Sequence, residues 1–320
     1  MTYPFQTFYI KVNHIDEYMI YYPPEKASEQ AVLFLHGGPG ESSAPFLYLS
    51  QPKTRSYHFF YYDQRGTGRT QLKNKNKPFE VNIEMLLRDL DETIAYIKQN
   101  YKVEQVILLG HSWGTVLGVE YLKKYGSTVA AYIGMGQVVG FKKGERCAYE
   151  HCLEIVKKNG DKKDLDKLKQ LGDYQGNDFT LDQLKRFRNI QMKYHLAGME
   201  GGTGKMLALM KKSPVFHWKD LWVMISSMKV NQQLFDFIFD YDTSEFVNYP
   251  VPVYFICGRQ DWQVPSIVAA SYFEQVKAPD KSIYWIENAG HSTDMDQPET
   301  FNKTVEEIVL KSKFYIQSAK

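Results

Sequence analysis

The stretch "VILLGHSWGTVLG", beginning at Val106, constrains the chain more than any other. Four apolar residues, Val106 to Leu109, run into Gly110-His111-Ser112-Trp113-Gly114, and Thr115, Val116 and Leu117 then resume as core. The first run reads as a buried strand and the second as the opening of a helix. A serine with glycine two residues before and two after it, at such a seam, implies a sharp turn. There the backbone passes so close to its neighbours that side chains would clash. A turn that only reversed direction would not need a serine at its apex. The helix that follows also points its N-terminus at the serine, which favours developing negative charge.

The rest of the chain supplies a frame for that turn. "TFYIKVNHIDEYMIYYPP" reads as an antiparallel hairpin ended by Pro23-Pro24. "QAVLFLHGG" and "SYHFFYYDQRG" are short apolar runs suited to strands buried on both faces of a sheet. Ile83, Leu86, Leu87, Leu90, Ile94 and Ile97 recur at three- and four-residue steps, which is an amphipathic helix. Strand and helix alternate to about residue 137, so a mostly parallel sheet with helices on both faces is expected. Three helical patterns, "GERCAYEHCLEIVKKNG", "LDQLKRFRNIQMKYHLAG" and "HWKDLWVMISSMKV", then follow without a convincing buried strand. "VPVYFICG" restarts the sheet, and "PETFNKTVEEIVLKSKFYI" closes the chain as a helix. The expected organisation is one α/β domain, residues 1–137 and 249–320, interrupted by a helical insertion over residues 138–248.

In an open parallel sheet, function collects beyond the carboxyl ends of the strands. Those ends carry His36-Gly37-Gly38-Pro39-Gly40, Asp63-Gln64-Arg65-Gly66-Thr67-Gly68, the Ser112 turn, Gly258-Arg259-Gln260-Asp261 and Gly290-His291-Ser292. A serine, an acid and a histidine therefore each stand at a strand end. A serine hydroxyl is a weak nucleophile until a base takes its proton, and histidine titrates in the right range to do so. A buried acid fixes the imidazole tautomer and stabilises its charged form. Ser112, His291 and Asp261 are the candidates, with Asp294 and Asp296 too close behind the histidine to stand on a separate strand. The oxyanion is expected on the backbone N–H groups of Trp113 and Gly38, one such donor being typically worth about 3–4 kcal/mol. His36 and His111 read as structural. Arg65 reads as a tie between loops through backbone carbonyls rather than a substrate clamp. "GGTGK" (Gly201 to Lys205) lacks the first glycine and the final Ser or Thr of a phosphate loop. Cys147, His151 and Cys152 lack a fourth ligand for zinc, so no metal or other cofactor is expected.

"HGGPG", "DQRGTGRT", "GHSWGTVLG", "GRQDWQVP" and "NAGHS" together resemble the α/β-hydrolase superfamily, and specifically its proline iminopeptidase branch. The resemblance covers the sheet domain, with Thr70 where that branch usually has serine. It implies an α/β-hydrolase fold with an inserted helical cap over the site, a nucleophile Ser112, an acid Asp261 and a base His291. It further implies cap glutamates that hold the substrate's free amine, one of them directly after a tryptophan. Here Trp218 and Trp222 are followed by no glutamate. Glu200 is the candidate stand-in, with Trp218 and Trp222 as candidate substrate contacts. Glu145, Glu150 and Glu154 are alternative stand-ins, for which a solvated helix face is the favoured reading.

The leading expectation is a serine hydrolase acting on a small amide or ester through an acyl-enzyme, as an N-terminal aminopeptidase. The aromatic-rich insertion, with Tyr194, Phe216, Trp218, Trp222 and Phe235, points to a small, partly apolar substrate or short peptide. A carboxylesterase or lactonase is the alternative, and a non-catalytic ligand receptor is a third. Epoxide and dehalogenase chemistry is disfavoured, because those mechanisms place a carboxylate where Ser112 stands. The formal net charge of +2 argues for neither nucleic-acid nor membrane partners. Three cysteines and an opening "MTYPFQTFYIKVN" without a signal-peptide pattern make a cytoplasmic location the expectation.

Overall fold

The computed structural model describes residues 5–42, 55–77, 80–172, 174, 179–198, 208 and 210–319. Its frame is one eight-stranded sheet in the order β1-β2-β4-β3-β5-β6-β7-β8. The hairpin β1 (Gln6–Val12) and β2 (Ile15–Tyr22) turns at Asn13 and His14, both at positive φ, as a two-residue turn between right-twisted strands requires. β2 pairs antiparallel with β4 (His58–Tyr62). From β4 onward the neighbours are parallel: β3 (Gln30–Leu35), β5 (Gln105–His111), β6 (Ala131–Met135), β7 (Val253–Gly258) and β8 (Lys281–Ile286).

The apolar runs explain why the sheet is covered twice. Successive side chains of a strand point to opposite faces. Leu33, Val106 and Leu108 face one core, shared with helix α2 (Ile83–Tyr101) and helix α3 (Trp113–Tyr125). Val32, Phe34, Ile107 and Leu109 face a second core, closed by Phe301, Val305 and Ile308 of the C-terminal helix Pro298–Ala319. Helix α1 (Gly68–Asn74) follows directly after the β4 loop and packs against β2.

Between β6 and β7 the described elements are helices: α4 (Phe141–Asn159), α5 (Lys162–Lys169), α6 (Leu181–Lys193), α7 (Trp218–Val230) and α8 (Gln232–Phe239). The chain enters and leaves this insertion side by side, joined by an isolated bridge between Gly140 and Asp242. The insertion owns a small core, in which Cys152, Val156, Leu168, Tyr174 and Phe187 meet. After β7 come α9 (Ser266–Gln275) and, after β8, the short α10 (Thr293–Asp296) and α11, the C-terminal helix Pro298–Ala319 named above. Among the described residues no helix is long and apolar enough to cross a membrane.

Candidate active site

Ser112 is the apex between β5 and α3, at φ 53° and ψ −117°. A non-glycine residue holds such a conformation only where its surroundings impose it. Here the flanks impose it. A Cβ on Gly114 would stand 2.0 Å from the Leu35 carbonyl oxygen, and one on Gly110 would stand 2.5 Å from the Gly114 carbonyl oxygen. The Ser112 N–H is anchored on the Met135 carbonyl at 3.0 Å, which ties the apex to the neighbouring strand.

His291 lies beyond β8 and Asp261 beyond β7. His291 Nδ1 is 2.9 Å from Asp261 Oδ2, and both side chains are buried. The other Asp261 oxygen accepts the N–H groups of Gln263 and Val264, at 3.0 and 2.9 Å, which fixes the carboxylate's orientation. An ionised carboxylate only accepts, so the hydrogen bond assigns the imidazole proton to Nδ1 and leaves a lone pair on Nε2. That Nε2 is buried and has no hydrogen-bond partner among the described residues. The ring rests against Gly136, where an added Cβ would come within 2.7 Å of His291 Cε1.

Two further histidines surround this pair. The His111 ring lies tilted at 4.8 Å from the His291 ring, and its Nε2 donates to the His291 carbonyl at 3.1 Å. Burial, with the neighbouring His291, pushes its pKa down to about 3. His36 donates from Nδ1 to the Gly37 carbonyl at 2.8 Å and accepts the Gln64 N–H at 3.0 Å. Burial holds it down to about 4. Both therefore stay neutral and serve as fixed hydrogen-bonding parts.

Gly38 has φ +124°, and an added Cβ would stand 2.7 Å from the Gly40 nitrogen, so this position of the loop requires glycine. Trp113 is wholly buried, its indole N–H donating to Gln64 Oε1 at 3.0 Å. Arg65 forms a buried fork on Asp89, at 2.7 and 2.8 Å, and also donates to the Asn13 carbonyl at 3.2 Å. It is a tie as expected, but made mainly to the Asp89 carboxylate on α2, with a single backbone carbonyl. Thr70 joins the Tyr18 N–H to the Asp63 carbonyl through its hydroxyl, at 2.8 and 2.7 Å.

A pocket opens at Ser112 between the sheet and the insertion. Gly38, Pro39 and Ser112 line it from the sheet side, and Val138, Phe141, Leu184, Phe235 and Ile238 line it from the other. Trp218 and Trp222 are not among its walls. They are 64% and 79% exposed on α7, so Phe141 and Phe235 take the place expected for these tryptophans. Glu200 and the Gly201 to Lys205 stretch lie outside the described residues.

Glu145 also departs from expectation. It is buried, not solvated, and it lines the pocket together with Arg188. Arg188 grips it through both terminal nitrogens, Nη1 at 3.1 Å, and also donates to Gln191 Oε1 at 2.6 Å. Tyr174 donates to the same carboxylate at 2.5 Å. Gln191 in turn donates to the Trp262 carbonyl at 2.7 Å, beside Asp261. Glu150 and Glu154 are exposed, as a solvated face requires. His151 stacks on Trp262 at 3.5 Å.

Sequence reasoning missed Arg188, and also Glu41, whose Oε2 lies 3.1 Å from where a Cβ on Gly37 would stand, beside Ser112 Cβ. No local pattern marks Arg188, since its meaning depends on how α6 packs over α4. Glu41 could have been found, because it directly follows "HGGPG".

A family model described as the alpha/beta hydrolase fold matches residues 30–298. The chain belongs to the α/β-hydrolase fold family. Among the relatives of this α/β-hydrolase is a Bacillus subtilis (strain 168) protein named "Probable aminopeptidase YbaC", 24% identical over 286 residues, 86% of this chain and 87% of that one. A proline iminopeptidase of Heyndrickxia coagulans is 34% identical over 97 residues, a stretch of only 30% of this chain and 31% of its own. The solved structure of a Mycobacterium smegmatis proline iminopeptidase aligns over 97% of this chain and 99% of its own, with TM-score 0.68 and 15% identity, which is a likeness of fold.

Proposed function

We propose that this α/β-hydrolase is a serine hydrolase that cleaves small aminoacyl amides and esters through an acyl-enzyme, in the manner of a proline iminopeptidase, and works in the cytoplasm. The observation that carries the reading is the unpartnered, buried Nε2 of His291, whose other nitrogen is held on Asp261 beside the pocket that Ser112 enters. In this mechanism Ser112 Oγ attacks the substrate carbonyl as Nε2 takes its proton. The oxyanion accepts the N–H groups of Gly38 and Trp113. Collapse breaks the bond to the leaving amine or alcohol, which takes the proton from Nε2 and departs. Water then attacks the acyl-serine, gives its proton to Nε2, and the carboxylic acid leaves as Ser112 regains the proton.

Ser112→Ala is expected to lower turnover of p-nitrophenyl acetate by at least about 10³-fold. Wild-type enzyme should release a burst of p-nitrophenol equal to its own concentration if deacylation is slower than acylation. Unchanged turnover in Ser112→Ala would end the proposal.

A carboxylesterase or lactonase is a second reading. It is favoured by the apolar walls Val138, Phe141, Leu184 and Ile238 and by Glu145 being committed to Arg188. Proline β-naphthylamide and a p-nitrophenyl acyl ester, assayed side by side, separate the two. The iminopeptidase cleaves the first, and the esterase ignores it.

A further inference from the structure

An aminopeptidase must recognise a positive charge one carbon away from the carbonyl it attacks. Glu145, the carboxylate of the pocket wall, is unsuited to that task. Its charge is balanced by Arg188 and its oxygens are occupied by Arg188 and Tyr174. An arriving ammonium would have to displace a guanidinium.

Glu41 has the opposite character. It stands at the end of the Gly37-Gly38-Pro39-Gly40 loop, open to solvent. No ion pair or hydrogen bond engages its carboxylate among the described residues. Its position relative to the serine is fixed by Gly37. A Cβ built on Gly37 would lie 3.1 Å from Glu41 Oε2, 3.3 Å from His111 Nδ1 and 3.5 Å from Ser112 Cβ. The carboxylate, the neutral histidine and the serine thus converge on one point above the loop. The glycine is what lets them do so.

We propose that Glu41 is the specificity-determining residue that receives the substrate's free ammonium. This rests on the aminopeptidase reading above. The amine nitrogen of an aminoacyl group sits about 2.5 Å from its carbonyl carbon. With that carbon on Ser112, a nitrogen at that distance can reach toward Glu41, because Glu41 Oε2 and Ser112 Cβ both lie within 3.5 Å of the same point, a Cβ built on Gly37. Protein on most sides of the open cleft pushes the Glu41 carboxyl above its usual range, and His291 opposes that shift. A bound ammonium would stabilise the ionised form further, so Glu41 and the amine favour each other. The apolar walls then take the side chain of the same residue. Glu41 belongs to the sheet domain, so this selection differs from the cap glutamates that the family resemblance implies.

The test compares L-alanine p-nitroanilide with propionyl p-nitroanilide, which lacks only the amine. Wild-type enzyme should prefer the amine-bearing substrate by kcat/KM. In Glu41→Gln that preference should fall about 30-fold, the scale of one charge-assisted hydrogen bond, mainly through KM. Glu41→Asp should recover part of it, and Glu41→Ser should repeat the loss. A preference within about twofold of wild type in both Glu41→Gln and Glu41→Ser overturns the assignment while leaving the aminopeptidase reading intact. If wild-type enzyme shows no preference, that reading fails first and Glu41 with it.

Discussion

At the scale of single residues, the candidate site was legible where chemistry demands a residue type at a strand end. Ser112 and Asp261 each follow a buried run, His291 follows the half-buried edge strand β8, and the fold brings the last two to 2.9 Å. The Glu145–Arg188 fork was not legible, because a charged residue on an amphipathic helix reads as solvated until its neighbours are known. The Asp261–His291 contact carries a direct test. Asn in place of Asp261 keeps an oxygen for the Gln263 and Val264 N–H groups, yet offers His291 an amide donor instead of an acceptor. The imidazole proton then moves to Nε2, where the lone pair is needed. Asp261→Asn should fold as the wild type and lose about 10³-fold or more in kcat on p-nitrophenyl acetate. A loss under tenfold, with an unchanged urea midpoint, would show that another group supports His291.

At the scale of elements, periodicity served strands and helices well and faces less well. The apolar runs of β3 and β5 suited strands covered on both sides, which they are, and α2 followed its three- and four-residue steps. The helix with Trp218 and Trp222 was also foreseen, but not its direction. Aromatic content does not say which face packs inward, and here Val223 and Ser227 face in while the tryptophans face out. The Glu145–Arg188 pair joins α4 to α6, with Arg188 side-chain exposure of 20% against 5% for its partner. Removing one member leaves the other's charge enclosed without its counterion. Glu145→Ala should therefore destabilise by roughly 2–4 kcal/mol in urea unfolding. Replacing both, as Glu145→Leu with Arg188→Met, should recover at least half of that. Additive losses in the double variant would mean that the two side chains act independently.

At the scale of the whole molecule, stability depends on buried groups that prefer to be neutral, of both kinds. His36 and His111 are held below their ordinary range, while Asp63 and Asp294 are pushed up, to about 6 and about 7. The histidines favour the fold above their ordinary pKa and lose that contribution as pH falls through about 4 and about 3. The carboxyls act in the other direction. Asp294 stands on the four-residue α10 with one oxygen lacking any hydrogen-bond partner among the described residues. Burial raises its pKa first, with the Asp296 charge adding to it and backbone N–H groups opposing it. Its ordinary value is 3.8, so its contribution is complete below that pH and is lost as pH rises through about 7. A shift of that size corresponds to roughly 4 kcal/mol at most, and relaxation around the carboxylate reduces it. Asp294→Asn keeps the shape and removes the charge. It should match the wild type near pH 4 and exceed it by roughly 2–3 kcal/mol at pH 8.5, measured by urea unfolding at each pH. An equal difference at both pH values would mean that Asp294 ionises in the folded chain as readily as in the unfolded one. The unpartnered oxygen would then have to be reached by solvent, and the turn behind His291 would be more open than its burial implies.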